Sequence, residues 1–135
     1  MTDRDRLLFA NDAFYAAFNG GDAEAMAAVW VGGGPCFCLH PGWPAVVGLE
    51  AVMHSWAGIF SGGGAPRIDC RGAVAEVSEG VGLVLCYEVI DRAVLAATNL
   101  FRREEGAWRL FHHHAGPCQR PPEEILRAEP APSVQ

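Results

Sequence analysis

The stretch Val81-Gly82-Leu83-Val84-Leu85-Cys86-Tyr87-Glu88-Val89-Ile90-Asp91-Arg92-Ala93-Val94-Leu95-Ala96-Ala97-Thr98-Asn99-Leu100-Phe101 decides the fold. Two aliphatic runs flank a short polar turn, which predicts two antiparallel strands. Side chains alternate across a strand, so each run divides into two faces. In residues 81–91 one face carries Val81, Leu83, Leu85, Tyr87 and Val89, and the other Val84, Cys86 and Ile90. In residues 93–103 Leu95, Ala97 and Phe101 share a face, as do Val94, Ala96 and Leu100. A sheet apolar on both sides must be covered on both.

Working outward, residues 67–77 and 107–115 read as two more strands, and Glu104-Glu105-Gly106 suits a hairpin turn. Upstream the period becomes helical. Leu7, Leu8, Asn11, Phe14, Tyr15 and Phe18 recur at three- and four-residue steps, which predicts a helix over 3–18 that ends at Asn19-Gly20-Gly21. Asp22 caps a short second helix over 23–30. Cys36 to His40 reads as a strand, Pro41-Gly42-Trp43-Pro44 as a turn, and 49–60 as a third helix with Val52, Met53 and Trp56 inward. The glycine runs at 32–34 and 62–64 read as loops, since neither follows the strand-to-helix pattern of a phosphate loop.

Helices followed by a meander predict an α+β class. Three helices cover one face of the sheet; a second copy of the chain is expected on the other, as a two-fold dimer with Phe111 and His113 at the interface. One domain is expected over 1–118, with a proline-rich tail over 119–135 that turns helical after Pro122.

The 135 residues are half hydrophobic, which excludes a disordered polyanion. A formal charge of −6 argues against nucleic acid or an anionic membrane as partner. No apolar run approaches the roughly 20 residues needed to span a bilayer. The first six residues carry mixed charges, with no signal-type apolar run after them. All ten cations are arginines, so lysine-based chemistry is absent. Five cysteines without a paired CxxC motif read as reduced thiols in a cytoplasmic protein.

The chemistry-bearing candidates are histidines. His40 ends the first strand before Pro41, and its imidazole suits a base near neutrality. His112 and His114 alternate with His113, sharing a face with Trp108 and Leu110, so both are expected to look inward beside His40. Phe14, Tyr15, Phe18, Trp43, Trp56 and Trp108 are expected to line the space around them, and Asn99 to offer a polar contact from whichever face it occupies. Glu88, in an otherwise apolar strand, reads as one half of an inter-strand or interface ion pair with Arg71, Arg109 or a histidine. Three imidazoles without a carboxylate motif make a weak ligand set, so neither metal nor cofactor is expected.

Four segments in order, Phe14-Tyr15-Ala16-Ala17-Phe18-Asn19-Gly20-Gly21-Asp22, His40-Pro41-Gly42-Trp43, Gly48-Leu49-Glu50-Ala51-Val52 and Gly106-Ala107-Trp108-Arg109-Leu110-Phe111-His112-His113-His114, resemble the SnoaL-like domain of the nuclear transport factor 2-like superfamily. The resemblance implies a cone of three helices leaning on a curved sheet, with a pocket for a small, largely apolar molecule. It places His40 where ketosteroid isomerases hold their base, and Phe14 where they hold a tyrosine; Tyr15 then points elsewhere. With Ala97 or Thr98 in place of their second acid, the activity expected is not that of an ordinary ketosteroid isomerase. Two functions stand side by side. One is an isomerase, dehydratase or cyclase working through histidine; the other is a non-catalytic binding or dimerisation module.

Overall fold

The computed structural model describes residues 1–63 and 65–127. Helix α1 (Asp3–Gly20) opens on a reciprocal cap. Thr2 Oγ1 accepts from the Asp5 N–H at 3.0 Å, and the Thr2 N–H donates to Asp5 Oδ2 at 2.9 Å. It closes on Gly21 at φ 60°, the left-handed conformation that glycine adopts without strain. Asp22 caps α2 (Ala23–Val29) by accepting from the Glu24 and Ala25 amides. Then come β1 (Phe37–Leu39), β2 (Val46–Val47) and α3 (Leu49–Ser61), followed by the long strands β3 (Asp69–Ser78), β4 (Val81–Ile90), β5 (Ala93–Glu104) and β6 (Ala107–Pro117). The two-residue β2, too short to carry a period, was invisible in the sequence.

The strands form one curved, unclosed sheet in the order β2-β1-β6-β5-β4-β3. All pairs are antiparallel except β1 with β6, so the sheet is mixed. The helices cover one face. There Leu7, Phe14, Tyr15, Val52 and Trp56 pack against Val84, Cys86, Ala97, Phe101 and Leu110, all buried. Asn19 ties the end of α1 to the approach of β3, its amide giving and taking one hydrogen bond with the Ile68 backbone, both at 2.8 Å. The opposite face is open, leaving Val74, Leu83, Leu85 and Phe37 exposed.

Two bulges shape the sheet. On β3, Gly72 and Ala73 lie between Arg71, paired with Tyr87, and Val74, paired with Leu85. Gly72 sits at φ 66°, and the space a Cβ would need is filled by the Ile125 side chain. Ile125 belongs to α4 (Glu123–Arg127), which docks through the Arg71 guanidinium donating to the Ile125 carbonyl at 2.7 Å. The tail expected from residue 119 is thus tied to the sheet at Ile125; the residues after Arg127 lie outside those described. On β6 the register shifts so that Leu110 pairs with Phe101 and His112 with Leu100. Phe111 is the extra residue, and a single extra residue moves everything after it to the other face.

Candidate functional site

The bulge at Phe111 corrects the expected histidine placement. Trp108 and Leu110, before it, point inward as expected. After it the alternation has changed phase: His113 and Ala115 are buried inside, and His112 and His114 stand on the open face, their rings 6.5 Å apart. The site of His40, His112 and His114 is therefore not assembled, because the last two lie across the sheet from the first. His113 takes their place, and it is no interface residue. The parallel pairing with β1 agrees, setting Cys38 beside His113 with both buried.

Inside the cone His113 joins a chain of polar groups. The Asn99 amide donates from Nδ2 to Asn11 Oδ1 at 2.9 Å and to the Tyr15 hydroxyl at 3.2 Å. Its Oδ1 then faces His113 Nδ1 at 2.6 Å and can only accept, so Nδ1 carries the proton and Nε2 is bare. The Tyr15 hydroxyl donates to Glu88 Oε2 at 2.6 Å and lies 3.3 Å from Cys86 Sγ. His113 Nε2 stands 3.9 Å from the same carboxyl oxygen, within ion-pair range though too far for a hydrogen bond.

Three sequence expectations are settled here. Asn99 faces inward. Tyr15 turns its hydroxyl into the interior, as its place on the stripe of α1 predicts and against the count from Asp22. Glu88 is a buried interior acid, and of the expected partners it is the histidine, His113 on another strand, that stands beside it; Arg71 pairs instead with Asp69 at 2.7 Å, and Arg109 donates to the Ala28 carbonyl. Burial pushes the Glu88 carboxyl up to about 7, with the Tyr15 hydrogen bond pulling the other way. Burial likewise holds the His113 imidazole down at about 3, so the ring is neutral.

His40 approaches from the other wall. It is 4% exposed, and its Nε2 lies 2.9 Å from Ser55 Oγ. Ser55 donates its own hydrogen to the Val52 carbonyl at 2.7 Å, so its oxygen must accept from His40. His40 is thus the Nε2–H tautomer with Nδ1 bare, and burial lowers it to about 4. Trp56 neighbours both histidines, its ring centroid 4.5 Å from that of His40 and 6.0 Å from that of His113. Phe14 and Phe18 close the cluster edge-on against Trp56, at 5.7 and 5.9 Å.

Trp43 is half exposed. Its ring meets His40 at 4.7 Å and forms the rim of a groove of about 870 Å³, lined also by Val46, Leu49, His54 and Ser55. Ser55 and Trp43 therefore connect this outer groove to the buried imidazole. Trp108 sits away from this cluster, under the Arg103 guanidinium at 4.3 Å. Among the described residues no three metal-ligating side chains gather. Sequence reasoning passed over Ser55, set His113 at a dimer interface and gave Asn11 a place on the stripe of α1 but no role. A polar residue on the buried stripe of α1 was the signal for Asn11; nothing local marked the bulge.

Comparison with known proteins places this geometry. One solved structure, a protein of Streptomyces avermitilis proposed to be a dehydratase of the NTF2-like family, is 30% identical with a TM-score of 0.80, over 87% of this chain and 97% of that one. A second, from Thiobacillus denitrificans and proposed to be a calcium/calmodulin-dependent protein kinase type II association domain, is 32% identical with a TM-score of 0.73, over 82% and 93%. Among curated proteins, the F-box protein SKIP8 of Arabidopsis thaliana is 22% identical over 111 residues, 81% of this chain; the match spans about half, 48%, of that relative's length. The SnoaL-like domain pattern matches residues 8–118, nearly all of the described fold, and the chain belongs to that family.

Proposed function

We propose that the chain is a cofactor-independent enzyme that moves protons on a small, largely apolar carbonyl compound, as an isomerase or dehydratase does. One observation carries this reading: a buried carboxyl, Glu88, whose proton affinity lies near neutrality, beside the bare Nε2 of His113. A group that carries protons works best when its pKa is close to the operating pH. Glu88 meets that condition at about 7, and His113 at about 3 does not. Glu88 is accordingly the carrier, Tyr15 and His113 hold it, and His40 faces the ligand from the opposite wall. Phe14, Phe18 and Trp56 supply flat apolar contact, and Trp43 marks the way in from the groove. His112 and His114 have no part. The similarity to a proposed dehydratase supports the reading.

Exchange of α-protons tests it without knowledge of the natural substrate. In deuterium oxide, the wild-type protein should accelerate exchange at the α-carbon of a member of a panel of ketones, polyketides and terpenoids. Glu88→Gln should slow that exchange by about 10²-fold or more, followed by proton NMR. If the wild-type protein exchanges no member of the panel, the non-catalytic binding reading takes over.

The same protein is proposed to be a homodimer in a reduced, cytoplasmic setting. Its five free thiols and the exposed Val74, Leu83 and Leu85 on the open face support this. Contiguous apolar side chains on a sheet are costly to leave in water. Light scattering at micromolar concentration should give twice the chain mass, and Leu85→Lys should give the single mass. A wild-type monomer would refute the dimer.

A further inference from the structure

The phase change at Phe111 sets two histidines side by side on the open face, and the chemistry of the cone uses neither. His112 is half-buried and His114 exposed, at alternate positions of β6. Alternate residues of a strand lie about 6.6 Å apart. The two ring centroids are 6.5 Å apart, so the side chains run abreast rather than diverging. Among the described residues, the hydrogen bonds made by histidine rings belong to His40 and His113. The ring nitrogens of His112 and His114 are therefore uncommitted, and the exposed His114 has solvent to turn in.

Two neutral imidazoles at that spacing can share one partner. Each offers a lone pair, and a nitrogen binds a zinc-type ion at about 2.0–2.1 Å, which puts the ion about 3.2 Å from the ring centre. Two rings on one ion then stand about 5–6.5 Å apart, from a tetrahedral to a linear angle. The observed 6.5 Å lies at the upper end, so a small turn of His114 closes the angle. Burial, and after it the charge of His114, hold the His112 imidazole below its ordinary value, which keeps a lone pair free of protons at neutral pH. Magnesium and calcium prefer oxygen ligands, whereas imidazole suits zinc, nickel and copper. Among the described residues no third histidine, cysteine or carboxylate joins the pair, so the other positions on the ion stay open to water.

We propose that His112 and His114 form a two-imidazole chelate for a divalent ion of the zinc, nickel and copper class on the open face of β6. Both protein ligands come from one chain, so the site depends neither on the proton chemistry of the cone nor on the dimer. Its open positions make it an exchangeable site rather than a closed structural one.

Zinc ion titrated into the ¹⁵N-labelled full chain, followed by long-range ¹H–¹⁵N NMR, tests the chelate. The ring nitrogens of His112 and His114 should shift together and saturably, while those of His40 and His113 stay in place. Magnesium ion should move neither pair. His112→Asn and His114→Asn should each weaken zinc binding by about tenfold or more, since the second imidazole binds intramolecularly. Leu85→Lys should bind zinc as the wild type does. A shift confined to one ring, zinc held at cysteines with both rings unmoved, or an affinity unchanged in either histidine variant would each overturn the chelate. So would binding lost in Leu85→Lys, which would place the site between two copies. A protein that binds zinc in this way and exchanges no ketone keeps the chelate and loses the enzyme.

Discussion

The protein should be most stable near pH 6.5 and lose on the order of 3–4 kcal/mol as the pH falls to 4. Three interior groups set this profile. The imidazoles of His40 and His113 have folded values of about 4 and about 3, below the ordinary 6.5. Each contributes stability that is complete above 6.5 and is lost on acidification, because the unfolded chain takes up protons the folded chain refuses. Glu88 acts in the opposite sense. Its folded value of about 7 lies above the ordinary 4.5, so it contributes stability below 4.5 that is lost as the pH rises toward 7. Between 4.5 and 6.5 two groups oppose one, which leaves a net slope of about one proton, or about 1.4 kcal/mol per pH unit. Below 4.5 Glu88 is neutral in both states and the slope steepens.

Urea denaturation across a buffer series reads this directly. Glu88→Gln should remove the opposing group, steepening the acid limb to about two protons and abolishing the small decline above pH 6.5. A wild-type stability that stays level between pH 4.5 and 7 would contradict the placement of both histidines inside the cone.

The second large effect is expected at Asn99. Asn99→Leu keeps the branched shape and, among the described residues, removes the side chain whose hydrogen bonds join α1, β5 and β6. Asn11 Oδ1 and His113 Nδ1–H are then left buried without partners, and the Tyr15 hydroxyl loses a donor. At about 1–3 kcal/mol for each orphaned group, the loss should be about 2–5 kcal/mol, or about 10 °C in Tm. Asn99→Asp keeps the acceptor for His113 and sets a carboxylate beside it, so it should raise the imidazole pKa while losing the Asn11 bond. Calorimetry with both variants separates lost packing from lost hydrogen bonding. An Asn99→Leu protein as stable as the wild type would mean that the polar chain is not formed.

The element order, the α+β class and the inward stripe of α1 were legible because each rests on a period sustained over many residues. The helix stops at Gly21 and Gly62 are local too, and so were readable. Face assignments fared differently along one strand. Trp108 and Leu110 read correctly, and His112, His113 and His114 did not, since one unpaired residue at Phe111 reverses everything after it. A bulge depends on register with the partner strand, a property that no single strand carries. Tyr15 had two readings, inward from the stripe of α1 and elsewhere from the count to a family position, and the stripe, which rests on the helical period, was the one the structure follows. Glu88 stood out as a charge in an apolar run, but its partners come from α1 and β6, distant in sequence. Asn99 had two possible faces until β4 and β6 closed on either side of it.

Everything claimed for the cone depends on His113 pointing inward with its proton on Nδ1, opposite a His40 that carries its proton on Nε2. A pH titration of the histidine ring nitrogens by long-range ¹H–¹⁵N NMR, with each ring assigned by substitution, observes both facts at once. His40 and His113 should both remain neutral from pH 8 to about 5, as the Nε2–H and Nδ1–H tautomers respectively. A His113 ring that titrates near 6.5, or that holds its proton on Nε2, would contradict it.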